Sequence, residues 1–273
     1  MRKSAFFAAG LPVFLMGWLM CCGQPAAKQE VSSAPDSTIH QRVMPKPVND
    51  TVAIEYLLGK FDPAKDTLFA KIADQHSRGS GRGAYLHRDC YAAFVKMYEA
   101  AKADGITLTI LSATRNFNRQ KEIWEGKWKG STKVGGKDLS VSEPDPVARA
   151  KTILLYSSMP GTSRHHWGTD MDINSLDNHY FDEGKGKAEY EWLVAHGHEF
   201  GFCQPYTAKG DARPNGYEEE RWHWSYMPLS KKYLASYQRQ VSATMIGGFA
   251  GAETAGEINV IENYVMGVNP ECK

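Results

Sequence analysis

Two stretches of the sequence decide the fold: Ser163-Arg164-His165-His166-Trp167-Gly168-Thr169-Asp170-Met171-Asp172, and Glu220-Arg221-Trp222-His223-Trp224. Side chains alternate along a strand, so Asp170 and Asp172 share one face of the first stretch. In the second stretch Trp222 and Trp224 share the face that we expect to enter the core, and His223 points to the other face. The sequence therefore offers aspartate and histidine side chains that can form a metal site.

His165, Asp172 and His223 are the candidate ligands of one zinc ion per chain. Zinc accepts nitrogen and oxygen donors in a tetrahedron, and catalytic zinc sites keep the fourth position for water. Glu220 lies three residues before His223. A carboxylate there can take the proton of a water molecule and hand it to a leaving amine. Zinc follows only from the type of ligand, because other divalent ions suit the same donors.

A third motif reads Ser112-Ala113-Thr114-Arg115-Asn116-Phe117-Asn118-Arg119-Gln120. The pattern Ser-x-His-x-x-Gly-x-x-x-Asp, followed by Glu-x-Trp-His, resembles the VanY-type D-alanyl-D-alanine carboxypeptidases and the related L,D-carboxypeptidases, which are zinc peptidases. Ser112, Arg115 and Gln120 match the family's Ser-Gly-Tyr-Arg-Ser stretch with its later Gln. The resemblance covers roughly residues 85 to 228.

The resemblance implies a role for each matched residue. His165, Asp172 and His223 bind the zinc ion, and Glu220 is the catalytic base. Arg115 faces the scissile carbonyl, where a positive charge stabilises the developing oxyanion.

The resemblance also implies residues on the substrate side of the site. Gln120 and Ser163 help to hold the substrate. Tyr206 follows Pro205 where the family often has Arg-Tyr, and we expect it to line the pocket. Asp170 stands where the family often has Ala. We group it with these residues, as a side chain that can orient a ligand.

We therefore predict a zinc-dependent carboxypeptidase that removes the terminal D-alanine of peptidoglycan stem peptides. The sequence leaves open whether the bond is D,D or L,D, and whether one or two residues are released. The alternative is a non-catalytic peptidoglycan-binding lipoprotein that retains the fold. A lysostaphin-like metal site, suggested by His166, Asp170, His196 and His198, is rejected, because positions i and i+2 of a helix point about 200° apart.

Periodicity predicts an α+β fold with a small antiparallel sheet flanked by helices. The predicted helices are 89–104, 118–128, 189–200 and 231–244, and the predicted strands are 107–112, 202–204 and 222–226. A single zinc peptidase domain is expected over residues 49–230. A C-terminal helical extension, residues 231–273, is expected to pack on it.

The N-terminal residues resemble an export signal. Arg2 and Lys3 precede an apolar run, so residues 1–22 are predicted to be a signal peptide of lipoprotein type. Cys22 would then carry the lipid and attach the protein to a membrane, with plain secretion as the alternative. Residues 23–48 have the composition of a flexible tether. The expected location is periplasmic or on the outer surface.

Charge and cysteine content narrow the partners further. Lys plus Arg is 32 and Asp plus Glu is 31, a net charge of +1, which excludes a strong basic field for nucleic acid. We expect a monomer whose partner is the stem peptide. Cys90, Cys203 and Cys272 remain after the signal, so two can pair and one is left over. The sequence does not fix the pairing.

Overall fold

The structure, a computed structural model, describes residues 52–273 and confirms the α+β class. The predicted signal peptide, tether and lipid attachment at Cys22 lie outside the described residues. In the described part the helices are α1 (Ile54–Leu57), α2 (Arg88–Ala103), α3 (Phe117–Trp128), α4 (Leu139–Ser142), α5 (Pro146–Ile153), α6 (Gly184–His196), α7 (Met227–Gln240) and α8 (Thr254–Glu257).

The strands form two antiparallel sheets. They are β1 (Phe69–Lys71), β2 (Tyr85–His87), β3 (Ile110–Ser112), β4 (Asp170–Ile173), β5 (Phe202–Cys203) and β6 (His223–Tyr226). β1 pairs with β2, and the other four strands have the order β3-β4-β6-β5. Short 3₁₀ segments connect them, and the two that concern the site are Arg164–Trp167 and Gly197–Phe200.

One face of the four-stranded sheet packs on α2 and α6. Met171 of β4 lies opposite Trp224 of β6, and both belong to a buried apolar cluster with Phe94 and Met97 of α2. This face is apolar because helices cover it. The polar side chains of the same strands are therefore directed to the other face.

Helix α3 borders the polar face. The Asn116 side chain caps its first turn by accepting a hydrogen bond from the Arg119 backbone N–H at 2.9 Å. Gln120 and Trp124 are its fully buried side chains. These two buried side chains anchor α3 to the core, while other side chains of the helix can reach the cavity described below.

The C-terminal segment covers α3 through backbone contacts. Lys121 Nζ donates to the Gly248 carbonyl at 2.6 Å, and Trp124 Nε1 donates to the Ala250 carbonyl at 2.8 Å. Gly251 has a φ of 84°, and a Cβ at this position would lie 2.5 Å from the Trp128 ring. Only glycine allows this approach, so the segment lies directly against the helix.

Several predicted boundaries differ from the observed ones. Helix α6 begins at Gly184, earlier than the predicted residue 189, because a Gly- and Lys-rich first turn hides its period. Strand β3 starts at Ile110, later than the predicted residue 107. The Asn174 side chain accepts from the Thr109 backbone N–H and donates to the Thr107 carbonyl, so these groups do not pair with a strand. The antiparallel pair of β1 and β2 has no counterpart in the prediction.

The chain between residues 52 and 273 contains no helix with the length and apolarity that a membrane crossing requires. The described residues, 52–273, belong to one compact unit. Within it α7 begins at Met227, and Val260, Val265 and Val268 of the C-terminal segment are buried in the same apolar cluster as Leu234 of α7.

A disulfide joins β5 to the end of the chain. Cys203 and Cys272 are bonded across a separation of 69 residues, and Cys90 is free and buried. The bond closes a long loop, which restricts the unfolded chain strongly.

We expect Cys272→Ser to lower the free energy of unfolding by about 2–5 kcal/mol, because the loop of the unfolded chain is released. Urea denaturation of the variant and the parent protein measures the difference. A reducing agent should bring the parent protein to the variant's midpoint and leave the variant unchanged. Equal midpoints for the oxidised parent protein and the variant would contradict the stabilising role.

Candidate active site

Three side-chain atoms converge on the polar face of the sheet. His165 Nε2 lies 3.4 Å from Asp172 Oδ1, and His223 Nδ1 lies 3.2 Å from the same oxygen. One donor atom from each residue lies within 4.8 Å of the other two, and all three residues are buried. The three predicted ligands therefore meet at one point.

Strand pairing brings two of these residues together. Asp172 of β4 is the direct cross-strand partner of His223 of β6, so their side chains rise side by side. His165 comes from the 3₁₀ segment that precedes β4. Gly168 ends this segment with a φ of 72°, and a Cβ there would lie 2.4 Å from the Phe69 ring. Glycine is required for the turn that directs His165 back over the strand.

Hydrogen bonds fix which nitrogen of each histidine faces the centre. His165 Nδ1 lies 2.8 Å from the Ala113 carbonyl oxygen, and His223 Nε2 lies 3.0 Å from Asp170 Oδ1. Since both partners accept, these nitrogens carry the protons. His165 Nε2 and His223 Nδ1 are then free to bind a metal ion, the arrangement that metal-binding histidines use.

The centre contains polar atoms that the protein itself does not satisfy. His165 Nε2 and Asp172 Oδ1 are buried and have no hydrogen-bond partner. Buried polar atoms are rarely left in this way without a bound ion or water. Two nitrogens and one carboxylate oxygen suit zinc, so the residues present fit such an ion.

Charge at the centre favours an ionised aspartate. Burial works against the charge of Asp172, but the adjacent His165 and His223 outweigh it and hold the pKa of Asp172 well below its usual range. Burial lowers the pKa of His165 and keeps that ring neutral. Burial also disfavours the charged form of His223, yet its close contacts with the carboxylates of Asp170 and Asp172 raise its pKa. Asp172 is thus ionised and His165 neutral, the forms in which these two side chains can bind a cation.

Glu220 stands beside the three converging atoms. Its Oε2 lies 3.3 Å from His223 Nδ1, and its backbone N–H donates to the Tyr206 carbonyl at 2.9 Å. Burial raises the pKa of the Glu220 carboxyl above its usual range. A carboxyl whose pKa is raised toward neutrality can both accept and release a proton.

Asp170 lies beneath His223 and not on the cavity wall. Its side chain is fully buried and forms an ion pair with Arg164, Nε to Oδ1, at 3.0 Å. Thr169 Oγ1 donates to its second oxygen at 2.6 Å. Asp170 was grouped with the residues expected on the substrate side, but it does not line the cavity, so this placement is wrong. Its contact to His223 agrees with the expectation that it orients a ligand.

A cavity of about 850 Å³ opens over this centre. Arg115, Tyr206 and Glu220 line it together with His165 and the other two candidate ligands. The Arg115 backbone N–H donates to the His165 carbonyl at 3.1 Å, which ties the start of α3 to the metal-binding segment.

Gln120 and Ser163 are not among the lining residues. The Gln120 side chain donates to the Ser158 carbonyl at 2.8 Å. Gln120 and Ser163 are both almost completely buried. Trp222 is buried, as expected, but it precedes β6, belongs to neither large apolar cluster and lines the cavity. Its ring lies 6.3 Å from that of Tyr156.

The sequence interpretation missed several lining residues, and Tyr217 and Lys127 are the two that bear on the site described here. The Tyr217 ring packs at 4.9 Å on Tyr206, which in turn packs at 4.7 Å on His223. Lys127 lines the cavity from the last turn of α3. Neither residue belongs to a motif. Only the position of Lys127 two turns after Gln120, and that of Tyr217 shortly before Glu220, could have drawn attention to them.

The rejected lysostaphin-like arrangement is also absent from the described residues. His196 ends α6 and contacts Glu199 at 2.9 Å, while His166 is buried and accepts the Gly161 backbone N–H at 3.0 Å. They do not form a common cluster with His198.

A comparison with known proteins shows which family this chain matches. The family model VanY, D-alanyl-D-alanine carboxypeptidase, matches residues 83–229, more than half of the chain. A D-alanyl-D-alanine carboxypeptidase of Enterococcus faecalis is 31% identical over 138 residues, which are 49% of this chain and 45% of that protein. The chain spans about half the length of the curated relatives it matches.

Two solved structures resemble the chain. VanYB in complex with D-alanine-D-alanine is 23% identical, with a TM-score of 0.45, and the match covers 64% of this chain and 84% of that chain. The LdcB LD-carboxypeptidase is 21% identical, with a TM-score of 0.46, and the match covers 77% and 81% of the two chains.

We expect Arg164→Met to lower the free energy of unfolding by about 3–5 kcal/mol, because it leaves the buried Asp170 charge unpaired. The double variant Arg164→Met/Asp170→Asn should recover part of this loss, and urea denaturation with a chelator present measures both. Equal losses in the single and double variants would show that the buried pair is not coupled.

Proposed function

The chain belongs to the VanY family of D-alanyl-D-alanine carboxypeptidases, and we propose on this basis that it is a zinc-dependent carboxypeptidase. Its proposed substrate is the terminal D-alanine bond of peptidoglycan stem peptides. The observation that carries the proposal is the convergence of His165 Nε2, Asp172 Oδ1 and His223 Nδ1 within 4.8 Å, at the base of a cavity and beside the buried carboxyl of Glu220.

His165, Asp172 and His223 would hold one zinc ion. A bound zinc ion polarises a carbonyl group and lowers the pKa of water. Glu220 would accept the proton of the attacking water and deliver it to the leaving amine. Its raised pKa supports this double task, since a general acid and base works best when its pKa lies near the working pH.

Arg115 would stabilise the negative charge that develops on the scissile carbonyl oxygen. Its Nε is buried without a hydrogen-bond partner, and Arg115 forms no ion pair with a described carboxylate. An arginine in this state can direct its charge to a substrate oxygen. Asp170 would orient His223 through their 3.0 Å contact.

The substrate-side roles follow from position. Tyr206 would form the wall behind His223. Gln120 would act indirectly, by holding Ser158 on the cavity wall. Ser163 Oγ is buried without a partner and would serve as a local hydrogen-bond donor near the metal-binding segment.

We also propose that the protein is exported and acts on the cell wall as a monomer. The proposed signal peptide over residues 1–22, the lipid on Cys22 and the tether over residues 23–48 lie outside the described residues. Whether the scissile bond is D,D or L,D can be decided with tetrapeptide and pentapeptide stems, by the mass of the released product.

We expect Glu220→Gln to lower kcat by about 10²–10⁴-fold on a stem peptide, because the amide cannot take a proton from water. Release of D-alanine measures the rate, and chelation of the parent protein should also abolish it. The zinc content of the variant should equal that of the parent protein.

A variant rate within about tenfold of the parent rate would show that Glu220 is not the base. A parent protein that binds the stem peptide but releases no D-alanine with zinc bound would favour the alternative, a non-catalytic peptidoglycan-binding lipoprotein.

We expect Asp170→Asn to weaken zinc binding by about 10–100-fold, because the amide no longer accepts strongly from His223 and the ring loses its orientation. Competition with a chromogenic chelator measures the affinity. Asp177→Asn is the matched control, since Asp177 lines the cavity but contacts no candidate ligand. Equal affinities for the two variants would contradict the orienting role.

A further inference from the structure

Two cations in the cavity wall, Arg115 and Lys127, have no carboxylate partner among the described residues. Arg115, Arg119 and Lys127 all line the cavity. Arg119 is paired with Glu122 at 2.8 Å, and Arg115 is assigned above to the scissile carbonyl. Lys127 Nζ has no carboxylate oxygen within 4.0 Å among residues 52–273. Lys127 is therefore the cation that remains for a ligand.

The surroundings of Lys127 prepare it for an anion. Its Nζ donates to Ser157 Oγ, and an ammonium group has further donors to offer. Burial, and then the charge of Arg115, lower the pKa of Lys127. A half-buried cation without a counter-ion is unfavourable, so a carboxylate bound beside it would relieve this state.

Helix α3 holds this group in place. Gln120 and Lys127 lie seven residues apart, close to two helical turns, and so share one face. Gln120 is bonded to Ser158 at 2.8 Å and Lys127 is bonded to the adjacent Ser157. Two neighbouring contacts thus fix the serine segment against the helix and point the ammonium group into the cavity.

We propose that Lys127 and Ser157 bind the C-terminal carboxylate of the residue that leaves, which restricts cleavage to the ends of peptides. The inference rests on the proposed function. One residue spans at most about 3.6 Å, so a carboxylate one residue beyond the scissile carbonyl stays inside the same cavity. Lys127 supplies charge to one carboxylate oxygen, and the Ser157 hydroxyl donates to the other.

Calorimetric binding to the Glu220→Gln protein tests this assignment without turnover. The two probes are a stem pentapeptide ending in D-alanyl-D-alanine as the free acid and the same peptide as its C-terminal carboxamide. Adding Lys127→Met should weaken binding of the acid by about tenfold or more, and leave binding of the carboxamide unchanged. Lys127→Arg should retain the preference for the acid.

Lys129→Met is the matched control. Lys129 follows the same helix, carries the same charge and is paired with Glu125 at 2.6 Å, with 61% of its side chain exposed. It should alter neither affinity. An equal loss for acid and carboxamide would assign Lys127 to an internal carboxylate of the stem or to the fold, and would overturn the proposal. An unchanged affinity for the acid, or no binding of either peptide, would also overturn it.

The two proposals can fail separately. If the parent protein cleaves no stem peptide but Lys127 still distinguishes acid from carboxamide, the proposed hydrolysis is wrong and the carboxylate subsite stands. If the parent protein releases D-alanine and Lys127→Met changes neither binding nor KM for the acid, the subsite is wrong and the hydrolysis stands.

Discussion

The register between β4 and β6 places Asp172 across from His223 and Asp170 across from Ser225. Because side chains alternate along a strand, a slip of one residue would turn both aspartates to the apolar face. The opposite pair, Met171 and Trp224, prevents such a slip, since it is buried against α2. The geometry of the metal-binding face is therefore fixed by hydrophobic packing on the other side of the sheet.

The buried charge below this face adds a second constraint. Removing an aspartate from water is unfavourable unless a cation and hydrogen bonds replace the lost solvation. Asp170 receives them from Arg164, Thr169 and His223. These contacts leave His223 little freedom to rotate, so one of the three donor atoms is oriented before any ligand arrives. A buried polar layer of this kind orients the metal-binding side chains more than it stabilises the fold.

The sequence predicted what depends on local spacing. Helix α2 was expected over residues 89–104 and is observed over Arg88–Ala103, because its apolar period and terminal cap are local signals. The converging ligands were also predicted, through the family motifs. Lys127 and Tyr217 were not, since they reach the cavity only through contacts made by α3 and by an irregular loop. The pairing of Cys203 with Cys272 likewise depends on where the end of the chain packs.

The contacts of the C-terminal segment also set an order of assembly. Helix α3, which carries cavity residues, is covered by residues near Gly248 and Ala250, and β5 is bonded to Cys272. During synthesis these partners are made after α3 and β5, the elements that they contact. The earlier part of the chain can form its helices first, but the wall of the cavity is covered only after Gly248 and Ala250 have been made. A nascent chain is therefore kept from forming its finished cavity until this later segment has been made.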